Sequence, residues 1–450
     1  MLAALTTRKT VIAAVIFGAF LGLLTIYIPF SSSFKVFLAV LVFAAILYNP
    51  LYGIVFTVVS IPLLPTTTTL LIILLTAGIT FLKAFNDKKE YNYTGVEIPL
   101  TGFMISVFAA VFFGQDLLVS FKTFIIYLGY FLLLPVTYLN IKNKKELHFI
   151  ILLIILTASV IGLYAIYQYS TGVETARSWI DPSRFKSIST RVYATFDNPN
   201  VLAEFLVLII PLPFALFMYS SSTLLKTFYI LFTIIMGLGL LFTYSRGGWL
   251  GLLFAAVILI LLKERKLLIV FLMLLLLAPL LLPSGVMERA ATITDLSESS
   301  NAYRITIWLS SIRMLKDFWW RGIGLGLSSF QKIYPNYMIQ GTPAVHSHNL
   351  FLQIALELGM MGLIFFAWFI RNYYIFALKN CFCKIKEDYA KFVIPAVLAG
   401  IGGHLLHGMV DLVWYNPKIT FLFWLLVGLT ITTVKIFGGE KSVQTGTCNK

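Results

Sequence analysis

Apolar residues run through this chain in blocks of about 15–25, separated mostly by short polar or basic turns. The blocks fall near residues 11–30, 34–48, 51–64, 66–83, 97–114, 117–139, 149–168, 200–219, 226–243, 247–262, 267–283, 349–371, 392–414 and 418–436. A helix rises about 1.5 Å per residue, so most blocks reach across the roughly 30 Å of hydrocarbon in a bilayer, or nearly so. Without water there, a spanning segment must satisfy its own backbone groups, as a helix does; a barrel shows weaker, alternating segments. The pattern predicts an all-α, polytopic integral membrane protein with about 12–14 transmembrane helices. The second to fourth blocks are short, so two of them could be re-entrant or fused. The first follows Arg8 and Lys9, as in a signal peptide, but no small-residue cleavage site comes after it and further spans do. It is read as retained.

Composition agrees with this reading. Of 450 residues, 59% are hydrophobic and 12% charged, against roughly 45–50% and 25% in soluble domains. Charge sets the expected orientation. Basic residues gather at Arg8 and Lys9, Lys83–Lys89, Lys142–Lys145, Lys226, Lys263–Lys266, Arg371–Lys391 and the C-terminal tail. With fourteen spans these all fall on one side, the cytoplasm by the positive bias of short loops, and both termini lie there. The net charge of +15 is thus dispersed among membrane loops, which excludes a nucleic-acid surface gathered on one domain. Cys381, Cys383 and Cys448 also fall on that side, where thiols stay reduced, and no disulfide is expected.

Two segments outside the spans are long, Ser170 to Asn200 and Pro283 to His348, and both are expected outside the cytoplasm. The chain divides into N-terminal transmembrane helices (1–168), a first long extracytoplasmic loop (169–200), a motif-bearing region (185–375) that includes the loop 284–348, and C-terminal helices with a cytoplasmic tail (376–450). Loops carry function more often than the scaffold beneath them.

Four strings lie in or beside these loops: RVYATFDNPNVLAEF, TYSRGGWLG, NAYRITIWLSSIRMLKDFWWRGIGLGLSSF and TPAVHSHNLFLQIALELGMMG. Together, in this order and on one side of the membrane, they resemble the O-antigen ligase and polymerase superfamily. The shared pattern is an Arg with a downstream N-P-N-x-x-A, a Ser-Arg-Gly between two spans, an Arg and Trp before G-x-G-x-G, and a His-Asn leading into L-Q-x-x-x-E-x-G. The resemblance covers about residues 185–375. It implies transfer of a glycan from undecaprenyl diphosphate to an acceptor, outside a bacterial cytoplasmic membrane. The implied partners are that lipid-linked donor, a glycan or lipid acceptor and membrane lipids.

The residues themselves can be weighed for that chemistry. A guanidinium stays charged and forks onto two oxygens, so Arg246, Arg191 and Arg304 are candidates to hold a diphosphate. Arg246 could equally be an interfacial Arg snorkelling from its short turn. Asn198 and Asn200 could cap the next span or belong to the site. Arg304 opens a stretch in which Trp308, Ile312, Leu315 and Trp319 recur at helical spacing, predicting an amphipathic helix on the membrane surface. Gly322, Gly324 and Gly326 follow no strand, so they read as a close-packed or flexible turn rather than a nucleotide loop.

His348 is the expected general base, with His346 beside it in support. A His-x-His pair can also bind metal, but needs a third ligand. Asn349 is placed to cap the following span, and Glu357, inside it, is a site or ion-pair candidate. The spacings of His404, His407 and Asp411 put all three on one helix face, with Asp411 nearest the outer end and able to steer a His or Arg. No D-x-D occurs in the chain, which departs from metal-dependent oligosaccharyltransferases, and no P-loop appears. The expectation is an inverting glycosyltransferase that uses no metal and no cofactor. A repeat-unit polymerase and a lipid-linked glycan flippase are the alternatives; a transporter would carry ionisable residues at mid-bilayer on several spans, whereas here they crowd at outer ends.

Overall fold

The computed structural model describes residues 29–86, 94–174, 188 and 190–438, and over them the chain is helical, with no strand. The helices are α1 (Phe30–Tyr48), α2 (Leu51–Leu63), α3 (Thr66–Asn86), α4 (Glu97–Phe112), α5 (Leu117–Asn140), α6 (Lys144–Thr171), α7 (Pro199–Ile209) and α8 (Pro211–Tyr219). They continue as α9 (Thr223–Leu241), α10 (Arg246–Lys263), α11 (Leu267–Leu281), α12 (Ser284–Ala291), α13 (Ser299–Phe318), α14 (Leu327–Ile333), α15 (Leu350–Cys383), α16 (Asp388–His407) and α17 (Pro417–Gly438). Ten spans among the described residues are long and apolar enough to cross a membrane, with α7 and α8 together forming one of them. The pair α11–α12, bent by 110°, makes an eleventh, and α2 and α4 are shorter apolar helices. Every predicted block from 34–48 onward therefore has its helix, while the block 11–30 lies almost wholly outside the described residues.

Local chemistry fixes where these helices begin. Asp116, Asn143, Asn198, Ser245 and Asn349 each accept a hydrogen bond from a first-turn amide, the usual way to satisfy a helix start. In a bilayer there is no hydrophobic drive between helices, so close backbone approach through small residues matters. On α10 and α16 it is visible: a Cβ added at Gly251 would meet the Gly403 carbonyl oxygen at 2.7 Å, and one at Gly403 would meet that of Gly251 at 2.3 Å. Another at Gly247 would meet the His407 ring at 2.4 Å. This seam brings the start of α10, with Arg246, against the end of α16. The N-terminal helices are not a separate unit, since α5 packs along α17 and α4 along α15.

The loop between α12 and α15 builds its own small core over the end of the bundle. Ile307, Met314, Ile323, Phe330 and Leu356 are buried there together. The buried side of α13 is Ile307, Ser310, Ser311 and Met314, while Ile312 and Trp319 stay exposed. The predicted stripe of Trp308, Ile312, Leu315 and Trp319 is thus not the face that α13 buries. Of the two serines that pack inward, Ser310 has a partner: its hydroxyl accepts from the Ile339 amide at 3.1 Å. A second departure concerns the thiols: Cys381 is free and buried, but Cys383 is disulfide-bonded.

Candidate active site

Four helix ends and the second turn of α13 converge at one end of the bundle: the ends are the starts of α7, α10 and α15 and the end of α16. At their centre is Asp411. It was expected on the same helix face as His404 and His407, but α16 stops at His407, and Gly408 caps it. Asp411 lies in the turn beyond, where its amide still donates to the His407 carbonyl at 3.1 Å.

Asp411 gathers four groups. Its Oδ1 pairs with His348 Nδ1 at 3.2 Å and accepts from the Leu412 amide at 2.9 Å. Its Oδ2 accepts from Asn200 Nδ2 at 2.9 Å and lies 3.7 Å from Arg304 Nη2. Burial works to raise its pKa, but the hydrogen bond and charge of His348, with the charges of Arg304 and His346, hold it well below the usual carboxylate range. With Nδ1 on the carboxylate, Nε2 is the ring nitrogen left over, and the His348 side chain is 21% exposed. A carboxylate behind a histidine in this way fixes the ring and stabilises its protonated form.

The backbone around His348 is held at a cost. Its φ is 50°, in the left-handed region that non-glycine residues seldom adopt. Trp308 Nε1 on α13 donates to the His348 carbonyl at 3.2 Å. The His348 amide donates to His346 Nδ1 at 3.2 Å, and the Ser347 amide to Gln353 Oε1 at 2.9 Å. Asn349 caps α15 and donates from Nδ2 to the Met409 carbonyl at 2.8 Å, tying the loop to the turn that holds Asp411. Strain kept by so many tethers is a recognised mark of functional loops. His346, under these contacts, is a poor base. Burial first, then the charge of His348, bring its pKa down to about 3, with Asp411 opposing. Its Nδ1 accepts a backbone amide and its ring lies 4.1 Å from that of His348 and 5.0 Å from Tyr415.

Arginines approach from the other helix ends. Arg191 Nε donates to the Thr243 carbonyl at 2.8 Å, and Nη2 to Asn200 Oδ1 at 3.1 Å. Asn200 therefore bridges Arg191 to Asp411, while Asn198 acts as the cap of α7. The sequence left both open; the fold separates them. Burial lowers the Arg191 pKa to about 9, with Arg289, Arg304 and Arg246 adding like charge, so four guanidiniums share one region. Arg246 is not a snorkelling interfacial residue, because it is 7% exposed. Its Nη2 pairs with Glu298 at 2.8 Å, and its Nη1 donates to Thr292 Oγ1 at 2.9 Å. Glu298 also lies 3.5 Å from Arg289. Burial would raise the Glu298 pKa, but the Arg246 hydrogen bond and charge, with Arg289, bring it down overall.

Glu357 is not in an ion pair among the described residues. Its carboxylate accepts from the Gly326 amide at 3.0 Å and from Gln353 Nε2 at 2.8 Å. It thereby joins the glycine turn to Gln353 and so to Ser347. The glycine turn is close-packed: a Cβ at Gly322 would meet the Glu357 carbonyl at 2.4 Å, and one at Gly324 the Gly114 backbone at 2.3 Å.

The ligand atoms of His346, His348 and Asp411 lie within 4.8 Å of one another, as do those of Glu204, His407 and Asp411. The third ligand that a His-x-His metal site needs is thus in place. Sequence reasoning missed Glu298, Arg289, Gln353 and Glu204. Glu298 had a signal, since it caps α13 three residues before Asn301; Glu204 and Gln353 had none beyond being polar in apolar helices.

Residues 231–367 match the O-antigen ligase family (Wzy_C). The match covers that segment, which is similar to O-antigen ligases, and it supports a polytopic membrane enzyme of the ligase or polymerase type. The matched segment holds Arg246, Arg304, both site histidines and Glu357, while Arg191, Asn200 and Asp411 lie outside it and are brought in by the fold. Comparison with curated proteins gives no match.

Proposed function

We propose that the protein is a glycosyltransferase that moves a glycan from a polyprenyl (undecaprenyl) diphosphate to an acceptor hydroxyl. The reaction takes place at the outer face of a bacterial cytoplasmic membrane, in the synthesis of cell-surface polysaccharide. The observation that carries this reading is Asp411, paired on one oxygen with a partly exposed histidine and approached on the other by Arg304 and by Asn200, which also holds Arg191. A base and a cationic cradle for a diphosphate thus share one carboxylate.

The chemistry follows from those roles. His348 Nε2 takes the proton of the acceptor hydroxyl, whose oxygen bonds to the anomeric carbon as the bond from that carbon to the diphosphate oxygen breaks. The electron pair leaves with the diphosphate, whose growing charge Arg304 and Arg191 meet. Displacement from the opposite face inverts the anomeric centre. Asp411 supports the imidazolium and keeps His348 in register. Arg246 and Glu298, locked together, brace the cradle from the α10 side. No metal is required, because the cations are guanidiniums.

A positioned base contributes about 10²- to 10⁴-fold to rate. His348→Ala should slow transfer by about that factor in purified protein, leave donor binding nearly unchanged, and let lipid-linked glycan build up on the outer leaflet of cells. Wild-type activity should persist in excess chelator. Near-normal transfer by His348→Ala would overturn the base. Loss on chelation restored by manganese or magnesium would overturn the metal-free scheme in favour of the His346, His348 and Asp411 cluster.

A further inference from the structure

A cavity of about 260 Å³ opens beside the histidine loop, at the same end of the bundle. Thr123, Ile126 and Tyr127 on α5 line it, with Gln353 and Glu357 on α15 and the loop residues Trp414 and Tyr415. Two of its walls touch the neighbours of the proposed base: the Tyr415 ring lies 5.0 Å from that of His346, and Gln353 holds the Ser347 amide. No Lys or Arg lines it, and its one carboxylate is Glu357. A diphosphate would find no counter-charge there. The arginines and the cavity are therefore chemically distinct surroundings of the same histidine loop.

The lining says what the cavity would hold. Its polar side chains Thr123, Gln353 and Glu357 sit among the rings of Tyr127, Tyr130, Trp414 and Tyr415. An alkyl chain would gain nothing from the polar groups, whereas a sugar offers hydroxyls to them and an apolar ring face to the aromatic rings. Small-molecule pockets span roughly 300–1,000 Å³, so this cavity, just below that range, fits about one ring.

We infer that this cavity is the acceptor subsite, taking one neutral sugar residue whose free hydroxyl reaches His348. The inference rests on the glycosyl-transfer reading above for what happens next, but the binding itself is measurable alone. The test uses the full chain in lipid nanodiscs, free of sugar-based detergent, with the methyl glycosides of glucose, galactose and N-acetylglucosamine as probes. Saturation-transfer NMR should detect binding of at least one glycoside to wild type. Ile126→Trp, which fills the cavity, should abolish that signal, and Trp414→Phe, which trims the indole face to a single ring, should weaken it severalfold. Val119→Phe serves as a second filling variant if Ile126→Trp fails to fold. His348→Ala should leave glycoside binding intact while it stops transfer, so loss of transfer alone strikes the enzymatic reading and not the cavity. Absence of binding by every glycoside, or binding undiminished in both filling variants, would overturn the subsite. So would displacement of the glycoside by undecaprenyl diphosphate, which would make the cavity part of the donor site.

Discussion

His346 and His348 are two residues apart and chemically unlike. His348 is partly exposed and keeps a carboxylate behind one ring nitrogen, whereas His346 is buried and spends its Nδ1 on the His348 amide. The sequence could name both histidines, but not assign their roles, because the difference lies in burial and in partners that come from other helices. The low pKa of His346 has a measurable consequence. Folded, it stays neutral down to about pH 3; unfolded, it takes up a proton below about pH 6.5. The unfolded state therefore binds more protons in that window, and stability falls as pH drops through it, by up to about 1.4 kcal/mol per unit. Between pH 6.5 and 5 this amounts to roughly 2 kcal/mol. Thermal unfolding of the purified protein should show that loss, and His346→Asn, which can still accept the amide, should show a shallower acid decline. Equal declines in the two proteins would mean that His346 is not buried neutral.

At the scale of elements, the glycine turn and the break in α15 are one device. Gly359 departs from the helix with φ 73°, and a Cβ there would meet the Trp320 carbonyl at 2.7 Å. The gap lets the Met360 amide donate to the Trp319 carbonyl and the Ile323 amide to the Leu356 carbonyl, both at 2.7 Å. The end of α13 and the glycine turn are thereby fastened to α15 next to Glu357 and Gln353, two bonds away from the histidine loop. Gly359→Ala should cost roughly 1–3 kcal/mol, since alanine must bear both the positive φ and the contact. It should also lower turnover although no proposed catalytic group is touched. Gly78→Ala in α3, where a Cβ meets nothing within 4 Å, is the matched control and should be neutral or slightly stabilising. Paired melting curves and turnover numbers check both; an unaffected Gly359→Ala would mean that the break is relaxed and the glycine incidental. The glycines were legible as a packed turn, but their partners were not, because a kink near the middle of an apolar span leaves the hydropathy pattern unbroken.

For the whole molecule, the length and charge patterns were enough to predict the bundle, since each apolar block had to become a helix in a medium without water. What the patterns could not supply is convergence. Asn200 and Asp411 are 211 residues apart and share a hydrogen bond, across the contact where Gly400 of α16 lies so close to α7 that a Cβ would meet the Leu208 carbonyl at 2.4 Å. Orientation across the membrane belongs to this scale as well. Lys144, Lys263 and Lys391 cluster at the end of the bundle opposite Asp411, where Lys144 pairs with Glu387 and Lys263 donates to the Lys391 carbonyl. Positive charge in short loops favours the cytoplasm, so the histidine end should face outward, where a lipid-linked glycan would be used. In a variant with its native cysteines replaced by serine, Ser299→Cys at the exposed start of α13 should react with a membrane-impermeant maleimide in whole cells. Lys142→Cys, in the turn between α5 and α6, should react only after permeabilisation. Because α5 begins and α6 ends at the histidine end, the two sites are separated by the full thickness of the bundle and cannot share an outcome unless the helices do not span. The reverse labelling pattern would put the histidine loop in the cytoplasm, where an outer-leaflet donor could not reach it, and would overturn the proposed transfer together with the orientation.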